Sequence, residues 1–571
     1  MSGISNILQI ATTALLAEQL GVEVTGHNIA NVNTEGYSRQ RVNLVTARPV
    51  PTSYGPVGTG VDVLGIERAF DPFVTARLND KKSVLSYYQT RSDVLEQVAT
   101  VFNETQDGGL NELFSQFFAA WNDLADNPTG SGERQALLYQ SLTLCDAFNS
   151  RANQLVQERA NLLQQIGPTI EEINSYTSHI AQLTREIVES ESEGRHANDL
   201  RDQRQLEVAR LSELIDVQTY TPGDGTLSVA LPNGLPLAQG VLSFDLSYQI
   251  SASDTIELIW QGPGGTTEII DTSILSGGEL TALIQTRDEV IPRYQQELDQ
   301  LAQDLIIAVN DQHSQGVGLE LFSQTKGTYQ VSDPAVAMST SLPLGGQIVV
   351  GTLQIAVDRD GAPLVMDTIA IDPSLSLNDL VTSINTHPVL GTYLTASVED
   401  NSLKIVANLA SDTFGFAGDD SHVLTALGVN TYFTGDNAYT LGVNAWVLND
   451  PDLVAAGQID ATGAHAVGDN RNALALADLE DTPVATGGLT LGESYQSLVM
   501  SLGLEAQEAG NQESFYQGLV VQLSQMRDAV SGVSLDEELT NLVKYQRAYQ
   551  AAARLVSVAD ELYQTLLSIK K

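Results

Sequence analysis

Residues Glu537–Leu567 read EELTNLVKYQRAYQAAARLVSVADELYQTLL, and one spacing runs through them. Leu542, Tyr545, Tyr549, Ala552, Val556, Ala559, Tyr563 and Leu566 follow one another by alternating steps of three and four. Such steps place all eight in one narrow stripe along a helix. A stripe this narrow suits a helix–helix seam better than a broad face on a globular core. On periodicity alone, an ordinary core-facing helix is the favoured reading.

The opposite end has the same texture. Ile4, Leu8, Ala11, Leu15, Val22 and Ile29 keep a three–four spacing, interrupted at Glu18 and Thr25. This predicts an amphipathic helix with a coiled-coil tendency to about Val32. Asn28, Asn31, Asn33 and Gly36 follow, residues that tolerate the left-handed conformation in which helices stop. Arg41 to Val45 then reads as a short strand. Pro49, Pro51, Pro56 and several glycines make a turn-rich connector.

The middle differs from both ends. Asp71-Pro72 is a good helix start, and the chain to about Asp216 is mainly helical. A break is expected at Gly167-Pro168, with a further helix over Asn198–Ile215. From Val217 to Gly278 short β-rich runs alternate with turns such as Gly223-Asp-Gly225 and Gly262-Pro-Gly-Gly265. Helical spacing returns from Glu279 to His313. A second β-rich region covers Gly327 to Gly442, with strands expected at Gln347–Val357 and Ser402–Ala407. Helices resume by Asn470. The predicted fold is α+β and multidomain: a terminal coiled-coil-like helical domain, a discontinuous helical rod domain and β-rich inserted lobes. The boundaries are 1–64 with 535–571 for the terminal domain, and 65–216, 279–326 and 443–534 for the rod. The small β-rich insert is 217–278 and the outer β-rich domain 327–442.

Bulk properties exclude several function classes. A chain of 571 residues is too long for one core. Its net charge of −43 opposes binding to nucleic acid and to anionic lipid surfaces. One cysteine, Cys145, excludes an intrachain disulfide and a cysteine-based zinc site. Met1-Ser-Gly-Ile-Ser-Asn lacks a basic start, so no cleavable secretory signal is expected. No apolar run is expected to reach membrane-crossing length, and no membrane insertion is expected. The histidines His27, His179, His196, His313, His387, His422 and His465 form no close metal-binding spacing. No phosphate loop and no nucleophile elbow is present. Asp358, Asp360 and Gly361 read as a β-turn rather than a calcium loop. Catalytic residues, cofactors and metals are all expected to be none.

Two terminal blocks and three interior runs carry a resemblance. The first is LGVEVTGHNIANVNTEGYSRQ (Leu20–Gln40), and the last is Glu537–Leu567 with its YQRAYQA core at Tyr545–Ala551. Both resemble the end signatures of the bacterial flagellar rod, hook and hook-associated axial family. Interior runs resemble its hook-associated branch: HANDLRDQRQLEVARLSELIDV (His196–Val217), the stretch Gly277–Gly316, and GDNRNALALADL (Gly468–Leu479).

The resemblance implies a structural subunit at the hook–filament junction, outside the cell. It would be exported through the flagellar type III apparatus without cleavage. It implies terminal helices that are poorly ordered in the free monomer and form the inner tube of a self-assembled layer. Ile4, Leu8, Leu15, Asn28, Asn31, Asn33, Gly36, Tyr37, Leu542, Tyr545, Tyr549, Val556, Tyr563 and Leu566 would be its assembly residues. The implied partners are other copies, the hook protein, a second junction protein (hook-associated protein 3), and an export chaperone on the C-terminal helix. The alternatives are a hook or distal rod subunit, or a surface enzyme or adhesin with its activity in 327–442.

Overall fold

The computed structural model describes residues 2–53, 55–103, 109–192, 196–222 and 226–569. The turn expected at Gly223-Asp-Gly225 lies outside them. The chain divides into two compact units. The first holds residues 1–94, 161–288 and 507–571, the second 95–160 and 289–506.

In the first unit, helix Ser2–Ala30 leads into strand Gln40–Thr46, which pairs antiparallel with Val61–Arg68. Asp71 starts the helix Pro72–Val101 by accepting from the N–H groups of Phe73 and Val74 at 2.9 and 3.2 Å. The β insert is two small sheets. A four-stranded meander runs from Gln218–Tyr220 to Leu242–Ser243. A three-stranded sheet has Ile256–Gln261 at its centre. Trp260 joins them by donating Nε1–H to Pro236 O at 2.7 Å. The last helix is Leu535–Ile569.

The break expected at Gly167-Pro168 is absent. One helix runs from Ser131 to Glu191 with Pro168 inside it. An interior proline costs roughly 3 kcal/mol. Ile166, Ile170 and Ile173 are buried around it, each worth about 1.5–3 kcal/mol. Asn174 also clamps the helix to the adjacent strand. Its Oδ1 accepts from Leu246 N–H at 2.7 Å, and its Nδ2 donates to Leu246 O at 2.8 Å. Burial and this clamp together outweigh the lost backbone bond.

The second unit is built on an aromatic core. Phe117, Trp121, His313, Tyr432 and Phe433 lie with ring centroids 5.1–6.4 Å apart, mostly edge to face. Its β lobe holds two three-stranded sheets, one centred on Gly351–Arg359, the other on Ser402–Ala407. The strand expected over Gln347–Val357 therefore begins later, because Gly345–Gln347 closes a 3₁₀ turn first. Helix Leu377–Thr386 has a reciprocal cap between Ser376 and Asp379.

One expectation is corrected by length. Over Gly3–Ala30 the first helix is long and apolar enough to cross a membrane. Glu18 and Glu23 are the acidic residues of that stretch, too few to offset its apolar character.

Candidate assembly site at the chain termini

The first and last helices pack antiparallel. Asn28 meets Glu538, and Gly21 meets Tyr545, seven residues or two turns away on each helix. At Gly21 the contact is close. A Cβ there would lie 2.6 Å from Tyr545 Cδ1, so only glycine admits the ring. Burial pushes the Tyr545 hydroxyl above its ordinary range, reinforced by Glu18 and Glu538.

A buried polar corner closes this pair. Asn28 is 1% exposed and uses its whole amide. Its Nδ2 donates to Gln40 O at 2.9 Å and to Glu538 Oε2 at 3.0 Å. Its Oδ1 accepts from Gln40 N–H at 2.9 Å and from the Tyr37 hydroxyl at 2.8 Å. One side chain thereby joins the first helix, the strand after it and the last helix. The Tyr37 hydroxyl is pushed up by burial, then by Asp199, Asp202 and Glu538, and stays a donor. Its ring meets His27 edge on at 5.6 Å.

Arg39 completes the corner from the other side. Its Nη1 donates to Glu537 Oε2 at 2.7 Å, and its Nη2 lies 2.7 Å from Glu538 Oε1. Glu538 is 2% exposed, and removing either partner would strand a buried charge. Both glutamates sit in the first turn of the last helix, where the helix dipole favours negative charge.

The interior block His196–Val217 arrives at the same place. Asp202 accepts from Ser38 N–H and from Arg68 Nη1, each at 2.8 Å. Burial pushes the Asp202 carboxyl up and the Arg68 guanidinium down, and their mutual attraction opposes both shifts. Gln40 Nε2 donates to Asp199 Oδ1 at 2.6 Å. Gly36 turns the chain with φ +78°, and a Cβ there would lie 3.2 Å from Leu206 Cβ. Gly36→Val is therefore expected to lose about 1–2 kcal/mol from backbone strain alone, read as a lower denaturation midpoint. Gly26→Ala, in open space on the first helix, is the control and is expected to be neutral or stabilising.

The expected assembly residues fall into distinct places. Asn28 lies at the centre of the corner. Asn31 donates only to His27 O of its own helix, at 3.0 Å, and Asn33 is exposed. Ile4 and Leu15 are half-buried and Leu8 is exposed, while Ala11, Ala17 and Val24 are buried. On the last helix Leu542, Tyr545 and Val556 are half-buried. Tyr549, Tyr563 and Leu566 are exposed. Arg39, Gln40, Asp199, Asp202 and Glu538 were not singled out from sequence, although each stands inside one of the family-like blocks.

Two further apolar patches on the last helix, one near its start and one in its second half, are only half covered. Leu535, Leu539, Val543, Leu555, Val558 and Leu562 are each 42–51% exposed. Among the described residues no group of three or more His, Cys, Asp or Glu could hold a metal ion.

Comparison with known proteins places this geometry. Residues 95–327 match the helical domain of flagellar hook-associated protein FlgK. Residues 8–37 match the flagella basal body rod protein model, and 527–569 the C-terminal model of the basal body rod FlgEFG proteins. Flagellar hook-associated protein 1 of Salmonella typhimurium is 27% identical, covering 99% of this chain and 100% of its own. Its counterpart in Bacillus subtilis is 26% identical over 98% and 97%. The solved flagellar hook junction protein FlgK from Burkholderia pseudomallei shares the fold, with a TM-score of 0.55 and 20% identity over 80% of this chain and 100% of that one. The chain is a structural subunit of the bacterial flagellum, with axial-type ends. Along nearly its whole length it is similar to flagellar hook-associated protein 1.

Proposed function

We propose that this chain is the adaptor that joins hook to filament, and that its copies are held to one another by their terminal helices. The observation that carries the reading is the half-exposed apolar surface of the last helix. Within one chain that helix buries only Glu538, Ala552 and Ala559 fully. Ordering it costs on the order of 1–2 kcal/mol per residue in backbone entropy, and two buried alanines offset little of that. Neighbouring copies supply the missing burial, so folding of the ends is coupled to assembly.

The same physics suits export. A chain without disulfides and with marginal ends can pass a narrow channel unfolded. In this reading it leaves through the flagellar type III apparatus uncleaved, with a chaperone covering the last helix beforehand. Outside the cell its partners are further copies, the hook protein and a second junction protein. The work is mechanical and needs no catalytic group.

Deleting the gene is expected to leave hooks without filaments and to shed filament protein into the medium. Restoring a chain that lacks residues 1–30 and 535–571 is expected to leave that phenotype unchanged. Normal filaments in either strain would overturn the reading.

A further inference from the structure

The first strand and the tip of the hairpin after the first helix carry charge opposite to the rest of the chain, while the returning strand holds Asp62 and Glu67. From Gly36 to Val61 there are three arginines and no Asp or Glu, in a protein of net charge −43. Arg39 turns inward onto Glu537 and Glu538. Arg41 and Arg48 are exposed and have no ion pair among the described residues. Around them Leu44, Val45, Val50, Val57, Val63 and Leu64 are each 37–65% exposed.

The arm is held in place rather than loose. Asn6 Nδ2 donates to Gly58 O at 3.2 Å, and Thr59 Oγ1 donates to Arg48 O at 2.7 Å. Gly60, at φ +113°, brings the backbone so close to the first helix that a Cβ would lie 2.2 Å from Thr13 Oγ1. Gln40 anchors its base in the Asn28 corner. Among the described residues the two strands have no third strand beside them, and a lone hairpin is marginal in water. Pro49, Pro51 and Pro56 remove backbone donors near its end, which blocks strand addition there. Contact must therefore come through side chains.

We propose that this hairpin is a docking arm that presses onto the acidic outer surface of a second copy of the chain. Charge complementarity selects that occupant. Every copy carries 71 acidic against 28 basic side chains, so a neighbour offers the carboxylates that Arg41 and Arg48 lack. The apolar residues of the arm exclude water from those contacts, and the arm offsets part of the repulsion between like-charged copies. This rests on the reading that copies lie side by side in the assembled layer.

The test uses full-length chain in flagella of a strain lacking the native gene. Val50→Cys is labelled with a benzophenone maleimide and irradiated; Cys145 is buried and silent. The adduct is expected to be a second copy, on a peptide rich in Asp and Glu. Arg41→Glu with Arg48→Glu is expected to cut the yield roughly tenfold with the circular dichroism unchanged. Adducts to a different protein, an unchanged yield after charge reversal, or no adduct in flagella that contain the chain would each overturn the arm. Absence of the chain from flagella would overturn the adaptor reading as well, and recovery of the chain with hook and filament separates the two failures.

Discussion

Asn28→Ala is expected to detach the last helix from the first and to abolish filament attachment. The substitution removes all four hydrogen bonds of a fully buried amide. It leaves the N–H and C=O of Gln40 without their partner and takes one donor from Glu538. Each stranded buried polar group costs about 1–3 kcal/mol, and more for a charged one. A loss of roughly 3–5 kcal/mol follows for this corner. Hydrogen exchange reads it directly, as faster exchange at the Gln40 and Glu538 amides. Asn33→Ala is the control. That residue is exposed, and an exposed change of this kind is expected to stay within about 0.5 kcal/mol. Equal effects at the two asparagines would show that the corner does not hold the helices together.

The second large effect is acid sensitivity of the aromatic core in the second unit. His313 is fully buried among Trp121 and Tyr432. Ala455 N–H donates to its Nε2 at 3.0 Å, so the ring proton sits on Nδ1, 2.8 Å from Asn430 O. Burial lowers this imidazole from 6.5 to about 4, with Arg134 adding to the shift and the Asn430 contact opposing it.

The folded state thus refuses a proton that the unfolded chain accepts. The stability tied to the neutral ring is fully present above about pH 6.5 and is lost as pH falls toward about 4. That loss amounts to about 3 kcal/mol at most. Asp419 and Asp299 run the other way, since burial raises their carboxyls and acid favours their folded form. The His313 part is therefore read as a difference. His313→Gln is expected to be less stable at pH 7, yet to lose about 3 kcal/mol less between pH 6.5 and 4. Amide exchange along Ile291–Ser314 follows it. Parallel acid profiles for the two chains would place the sensitivity elsewhere.

Much of the architecture was legible because local chemistry decided it. Asp71-Pro72 starts a helix, and Ser402–Ala407 forms a strand over the residues expected. Local chemistry also misled where packing between distant segments outweighed it. Pro168 is a helix breaker by itself, but buried isoleucines and the Asn174 clamp hold the helix through it. In the first helix, the large apolar side chains define a stripe on paper. The closest approach instead belongs to Gly21, where the Tyr545 ring needs the room.

The amino-acid order by itself determined that both ends are amphipathic helices, that an Asn-Gly turn follows the first, and that β-rich inserts interrupt the helical stretches. Those features rest on side-chain periodicity and on which residues tolerate which backbone angles. Only the tertiary structure decided which asparagine closes the corner. Asn28, Asn31 and Asn33 have the same chemistry, but only Asn28 is brought to Gln40 and to Glu538, 510 positions away. A hydrogen bond acts over about 3 Å, so its partner is chosen by the packing of distant segments and not by the neighbours in the chain.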